Sequence, residues 1–258
     1  MSTVKNLVDS SYWENYWASN LDDITHNNLK VEYDDAIYLW LKSFLGKQEI
    51  KGQTCIEIGC FPGRYLTFFG SLNYQLNGID FIKNVFQISE ELKKMGYDVG
   101  EFWQEEFLSF ASSTQNKFDL VSSFGFIEHF TNWEEVLNLH MKLVKKGGYL
   151  IIEAPNFGGW PHRIIRYLFD QKNFQKHYIP AISYKKWRAA VLKQNFKIIF
   201  CGGFGGFHYG LENKSKNLFF KQTLKLLDYI LRKLNASKYF ASDSFDSYYG
   251  LIAKRDEA

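Results

Sequence analysis

Glu57-Ile58-Gly59-Cys60-Phe61-Pro62-Gly63-Arg64 is the stretch on which the reading of this chain turns. It follows a short β-branched run at 54–58 and precedes a segment with helical spacing at 63–72. Gly59 and Gly63 let the backbone turn tightly and come close to a ligand. Such a ligand would lie at the carboxyl end of a strand, near a switch point of a sheet. The stretch is not a dinucleotide fingerprint, because Phe61 and Arg64 break the GxGxxG pattern. It also lacks the Gly-Lys-Ser/Thr of a phosphate loop. The leading acid, Glu57, is wrong for a pyrophosphate and right for a cationic ligand.

Working outward, strand-like and helix-like segments alternate. A second strand at 75–80 ends on Asp80, 23 residues after Glu57. A carboxylate there can accept both hydroxyls of a ribose. Residues 82–95 read as a helix with Val85, Phe86, Ile88, Leu92 and Met95 on its apolar side. Strands are expected at 97–101 and 118–123, a helix at 132–144, a turn at Lys146-Gly147-Gly148 and a strand at 149–153. Upstream, residues 11–45 carry two apolar helical stripes around a polar break at 22–28. Downstream, a helix is expected at 160–169, then Ser183 as N-cap of a helix at 184–193. A strand at 196–201, a glycine-rich stretch at 202–210, an amphipathic helix at 216–234 and a last strand at 248–253 complete the pattern. Apolar strands alternating with helices imply a mostly parallel sheet covered on both faces.

Composition sets the outer limits. The chain has 258 residues, 46% hydrophobic and 23% charged, which excludes a disordered or fibrous protein. Aromatics are abundant at 18%, enough for a core and for ring-lined pockets. A net charge of +3 does not argue for nucleic acid. Cys55, Cys60 and Cys201 have no CxxC spacing, so neither a disulfide framework nor a metal centre is expected. No signal-peptide pattern or uninterrupted apolar run of about 18 residues is present, which points to the cytoplasm.

Five ordered motifs resemble the class I S-adenosylmethionine-dependent methyltransferases. They are E-x-G-x-x-x-G after the first strand, Asp80 after the second, and Glu105-Glu106-Phe107-Leu108 after the third. Then come Phe118-Asp119-Leu120-Val121 leading to Gly125-Phe126-Ile127-Glu128-His129-Phe130, and the run from Leu143 to Asn156. The match covers residues 50–156 well and 177–201 more loosely. It implies an α/β, Rossmann-like, seven-stranded, mostly parallel sheet flanked by helices. It also implies one methyltransferase domain over 1–258. Its parts are an N-terminal helical cover (1–48), a cofactor-binding core (49–156), an acceptor-side region (157–210), a helical insert before the last strand (211–246) and a closing strand with tail (247–258). The cofactor implied is S-adenosyl-L-methionine. The Gly59–Gly63 loop, with Cys60, would wrap its methionine part, and Glu57 would organise that loop. Asp80 would bind the ribose, Phe81 would pack on the adenine, and Glu106 with the Phe107 amide would meet the adenine amino group, Glu105 being the fallback. Phe124 and Gly125 would sit beside the sulfonium. Tyr12, Trp13 and Tyr16 would cover the site.

The acceptor is less legible. His129, His177 and His162 are the candidate bases for a hydroxyl acceptor, with His208 also near a strand end. Glu128-His129 reads equally as a capping pair, since it accompanies different acceptors in the family. A small-molecule or glycan acceptor, methylated on oxygen by in-line transfer, is the leading expectation, as in polysaccharide or secondary-metabolite biosynthesis. N-methylation of a small amine, methylation of lipid-linked intermediates at a membrane, and a non-catalytic cofactor-binding protein are the alternatives. Ser122-Ser123-Phe124-Gly125 stands where amino-methylating enzymes of nucleic acids carry Asn/Asp-Pro-Pro-Tyr/Phe, so no nucleic-acid acceptor is expected. The helix at 216–234 reads either as a lid or as a peripheral membrane contact.

Overall fold

Five consecutive strands place their carboxyl ends along one edge of the molecule. They are β1 (Thr54–Ile58), β2 (Gln75–Asp80), β3 (Val99–Gln104), β4 (Phe118–Phe124) and β5 (Val144–Pro155). With β6 (Phe196–Phe204) and β7 (Tyr248–Arg255) they form a seven-stranded sheet in the order β3-β2-β1-β4-β5-β7-β6. All pairs are parallel except those of β7, which runs antiparallel to β5 and β6. The order reverses between β1 and β4, which opens a crevice at their carboxyl ends. The computed structural model describes residues 6–8, 10–18, 24–46, 50, 52–207, 222, 226, 229–230 and 243–257.

Side-chain alternation along the strands feeds two cores. Ile56, Ile58, Val121, Leu150, Ile152 and Leu251 point to one face. There they meet α6 (Phe107–Ser113), α7 (Trp133–Leu143) and α10 (Tyr184–Leu192) through Phe110, Val136, Leu137 and the fully buried Trp187. Cys55, Leu76, Leu120, Ile151 and Ile252 point to the other face. They meet α3 (Ala36–Leu45), α4 (Leu66–Ser71) and α5 (Val85–Lys94) through Leu41, Leu45, Phe69 and Ile88. Each such side chain contributes about 1.5–3 kcal/mol on burial. The remaining described helices are α1 (Ser10–Ala18), α2 (His26–Leu29), α8 (Trp160–Phe169) and α9 (Gln171–Phe174).

The observed sheet and flanking helices agree with the sequence reading, with local corrections. β3 runs later than 97–101. It is an edge strand with polar positions at Glu101 and Gln104, so its apolar signal is weak. Lys146-Gly147-Gly148 is not a separate turn but part of β5. The pairing jumps from Phe118–Val144 to Leu120–Tyr149, so the extra residues bulge within the strand. Gly202 and Gly203 belong to β6 rather than to a loop. A short helix, α2, occupies the end of the expected polar break. Ser183 caps α10 through its carbonyl, which accepts from the Lys186 amide at 2.9 Å, and not through its side chain. Phe86, read as core, is 49% exposed. The expected helix at 216–234 lies outside the described residues except for Gln222, Leu226, Tyr229 and Ile230, as does His208. Among the described residues no helix is long and apolar enough to cross a membrane.

Candidate cofactor and methyl-transfer site

The crevice at the switch point opens into a cavity of about 130 Å³. Its floor is made by residues that leave β1, β2 and β4: Gly59, Asp80, Phe81, Phe124 and Gly125. Glu105, Glu106 and Phe107, which follow β3, form one wall. Because β3 ends at Gln104 opposite Asp80, both acids fall directly at the cavity mouth, with Glu105 half-buried and Glu106 exposed.

Backbone hydrogen bonds hold the loops in place. The amides of Gly59 and Cys60 donate to the Ile79 carbonyl at 2.9 and 3.2 Å. One Asp80 carboxylate oxygen accepts from the Phe61 amide at 3.1 Å and the other from the Ile82 amide at 3.2 Å. Burial pushes the Asp80 carboxyl up to about 6, against the lowering effect of these amides and that of Phe81. Gly59 adopts φ +66°, and a Cβ there would stand 2.6 Å from the Phe126 ring, so only glycine fits.

Three expected cofactor residues lie behind the cavity wall and do not line it. Gly63, at φ +90°, lets the loop pack under α5 and α2, where a Cβ would meet Ile88 at 2.5 Å and Leu29 at 2.8 Å. Cys60 is fully buried, with its sulfur against Gly78 of β2, so its backbone but not its thiol belongs to the loop. Glu57 is buried at the end of β1, and its Oε2 has no hydrogen-bond partner. Burial, then the charge of Asp80, raises its carboxyl well above the usual range.

Sequence reasoning did not single out Glu153. It is buried on β5, and its Oε2 accepts from the Gly125 amide at 3.1 Å while Oε1 has no partner. Glu128 is also buried with an unpartnered Oε2, and burial pushes its carboxyl up to about 8. Buried acids with spare lone pairs are costly unless a cation or donor meets them. The only sequence signal was an acid inside an otherwise apolar strand, Ile151-Ile152-Glu153-Ala154.

Among the histidines, His129 reaches the cavity. Its Nδ1 is 2.9 Å from the Lys176 carbonyl, and burial holds its value down to about 4, so the ring is neutral at neutral pH. His177 does not line the cavity but packs at a tilt against His129, ring centroids 4.9 Å apart, and against Phe157 at 4.1 Å. Burial, then His129, lowers it to about 3. His162 is not brought to the site. It is buried against Phe207, with Nε2 3.3 Å from the Phe245 carbonyl.

α1 roofs the cavity. Trp13 and Trp17 line it, Trp13 edge-on to His129 at 5.0 Å and Trp17 edge-on to Phe61 at 5.2 Å. Tyr12 reaches outward instead, to the Lys176 ammonium.

These residues would fit a cationic adenosyl ligand: Asp80 and the rings of Phe81 and Phe107 line the cavity, and the buried carboxyls of Glu57, Glu128 and Glu153 stand behind it with oxygens that lack partners. A family model described as a methyltransferase domain matches residues 31–199. No curated protein matches the sequence. Among solved structures, a SAM-dependent methyltransferase from Archaeoglobus fulgidus is 19% identical with a TM-score of 0.55, covering 85% of this chain and 93% of that one. A putative sarcosine dimethylglycine methyltransferase from Galdieria sulphuraria is 12% identical, TM-score 0.58, covering 94% and 97%. A magnesium protoporphyrin IX methyltransferase from Synechocystis with bound SAH is 16% identical, TM-score 0.56, covering 96% and 100%. The domain match over most of the chain, on a sheet whose switch-point loops carry the five motifs, makes this protein a class I S-adenosylmethionine-dependent methyltransferase.

Proposed function

We propose that the enzyme transfers the methyl group to an oxygen of a small-molecule or glycan acceptor, by in-line attack at the cavity. S-adenosylmethionine supplies the electrophilic sulfonium methyl. Gly59, Asp80, Phe81, Glu106 and Phe107 bind and orient it, with Glu57 and Cys60 supporting the loop. Trp13 and Trp17 exclude water from above, so alignment supplies much of the acceleration.

The observation that carries the oxygen reading is the state of His129. It sits on the cavity wall with Nδ1 at 2.9 Å from the Lys176 carbonyl, and in the tautomer that donates from Nδ1 the Nε2 lone pair is an acceptor for a substrate hydroxyl. A second reading, methylation of a small amine, is favoured by the unpartnered oxygens of Glu128 and Glu153, which could take the proton of an ammonium so that its nitrogen attacks as the neutral amine. Incubation with methyl-labelled cofactor and a panel of matched hydroxyl and amine acceptors, with products identified by NMR, separates the two. O-methyl products support the proposal. Products methylated only on nitrogen would replace it with the second reading.

A further inference from the structure

The geometry points to a divalent-cation site formed by Glu128, His129 and His177, beside the cofactor cavity and unforeseen from the cysteine and histidine spacing. One ligand atom from each of the three lies within 4.8 Å of the others. Both imidazoles have Nδ1 at hydrogen-bond distance from a backbone carbonyl, His129 with Lys176 at 2.9 Å and His177 with Asn173 at 2.8 Å. A neutral ring that donates from Nδ1 keeps its lone pair on Nε2. A backbone partner on the far nitrogen is the usual way a metal-binding imidazole is oriented. The third group is an acid that gives up its proton to a bound cation: Glu128 is 1% exposed, its Oε1 lies 3.9 Å from His129 Nε2, and its Oε2 has no partner.

The arrangement is braced before any cation arrives. The Tyr178 amide donates to the Glu128 carbonyl at 2.7 Å, and the His129–Lys176 bond ties the same two segments together. Phe157 and Trp13 fix the planes of the two rings. The nearby cations are engaged elsewhere, Arg166 with Asp170 at 2.7 Å and Lys176 with Tyr12. Two nitrogens and one carboxylate suit a borderline cation such as zinc, cobalt(II) or iron(II) better than magnesium or calcium, which prefer oxygen shells. Three protein ligands leave a coordination position open. The purpose of the site rests on the oxygen-transfer reading. With a cation bound, His129 Nε2 is a ligand and not the base: the cation takes over the acceptor hydroxyl, orienting it and lowering its pKa.

The test uses the untagged full-length protein, stripped with chelator and titrated with zinc in the absence of cofactor and acceptor, then with cobalt(II) followed by visible absorption. One cation per chain is expected, with a cobalt spectrum of nitrogen and oxygen ligands. Glu128→Gln and His177→Gln should each weaken zinc binding by more than about 100-fold, beyond the 10–100-fold of a lost outer-sphere partner. Cys201→Ser should leave it unchanged. A wild-type protein that takes up no zinc, variants that bind as wild type, or a cobalt–thiolate band would each overturn the site. The cobalt spectrum decides even if a variant fails to fold. A parallel titration with S-adenosylmethionine keeps the two readings separate: zinc uptake without cofactor binding would break the cofactor assignment, and the reverse would break only the metal site.

Discussion

The Asp80 carboxylate accepts the Phe61 amide at 3.1 Å, so the residue that closes β2 also holds the turn that leaves β1. In the proposed reading this bond would couple ribose recognition to loop shape, and it sets a pH dependence. With Asp80 pushed up to about 6, the ionised acceptor is full only above that value. Cofactor affinity should fall as pH drops through about 6, by roughly 10-fold or more, the scale of one charge-assisted hydrogen bond. Folding runs the other way. A carboxyl raised above its unfolded value stabilises the fold most below the ordinary carboxylate range, and that contribution is lost as pH rises through about 6. Calorimetric titrations across this range check the first effect, and affinity that stays flat would separate Asp80 from the ribose.

Gly59→Ala should lower both stability and cofactor affinity. Its φ is +66°, and the new Cβ would stand 2.6 Å from the Phe126 ring, which leaves no room for it. The left-handed backbone alone costs about 1–2 kcal/mol. Thermal unfolding with and without cofactor checks this, and an unshifted melting temperature would mean the loop relaxes freely.

Trp13→Ala should weaken cofactor binding more than it weakens folding. The ring touches His129 on a half-exposed helix, roofs the cavity and packs, partly buried, on the margin of the core. Losing its edge contact forfeits about 0.5–1.5 kcal/mol, before the added entry of water. The quench of tryptophan fluorescence on cofactor addition should shrink in the same variant. Equal losses of stability and affinity would make α1 part of the fold and not a cover.

His177→Ala should lower turnover by about 100-fold with cofactor affinity nearly unchanged, because the ring adjoins His129 but does not line the cavity. His162→Gln should do the opposite kind of damage: a stability loss of about 0.5–1.5 kcal/mol with turnover retained below the melting transition. Steady-state kinetics beside unfolding curves distinguish them. An affinity defect in His177→Ala would assign it to the cofactor or the fold.

Much of this site was legible because it is made of backbone. Gly59, Gly63 and Asp80 have identities dictated by turn geometry and strand ends, and those leave a sequence signature. The end of β3 was harder to read, since an edge strand exposes every other residue and dilutes its apolar period. Glu105 and Glu106 were nonetheless placed by the motif that follows. Cys60 was assigned to the loop from its position, whereas packing against Gly78 turns its side chain inward. The role of Glu153, and the meeting of His177 with Glu128 and His129, depend on segments far apart in the chain and brought together only by tertiary packing. His162 illustrates the converse: nearness to a strand end in sequence did not bring it to the cavity.

The most direct test of the account is an equilibrium titration of S-adenosylmethionine into the wild-type protein and into Asp80→Ala. One molecule should bind per wild-type chain, and the variant, still folded, should bind roughly 10–100-fold more weakly, matching the loss of about 1.5–3 kcal/mol expected for hydrogen bonds to a charged group. No binding by the wild-type protein, or equal affinity in the two, would contradict the placement of the cofactor at the switch point between β1 and β4.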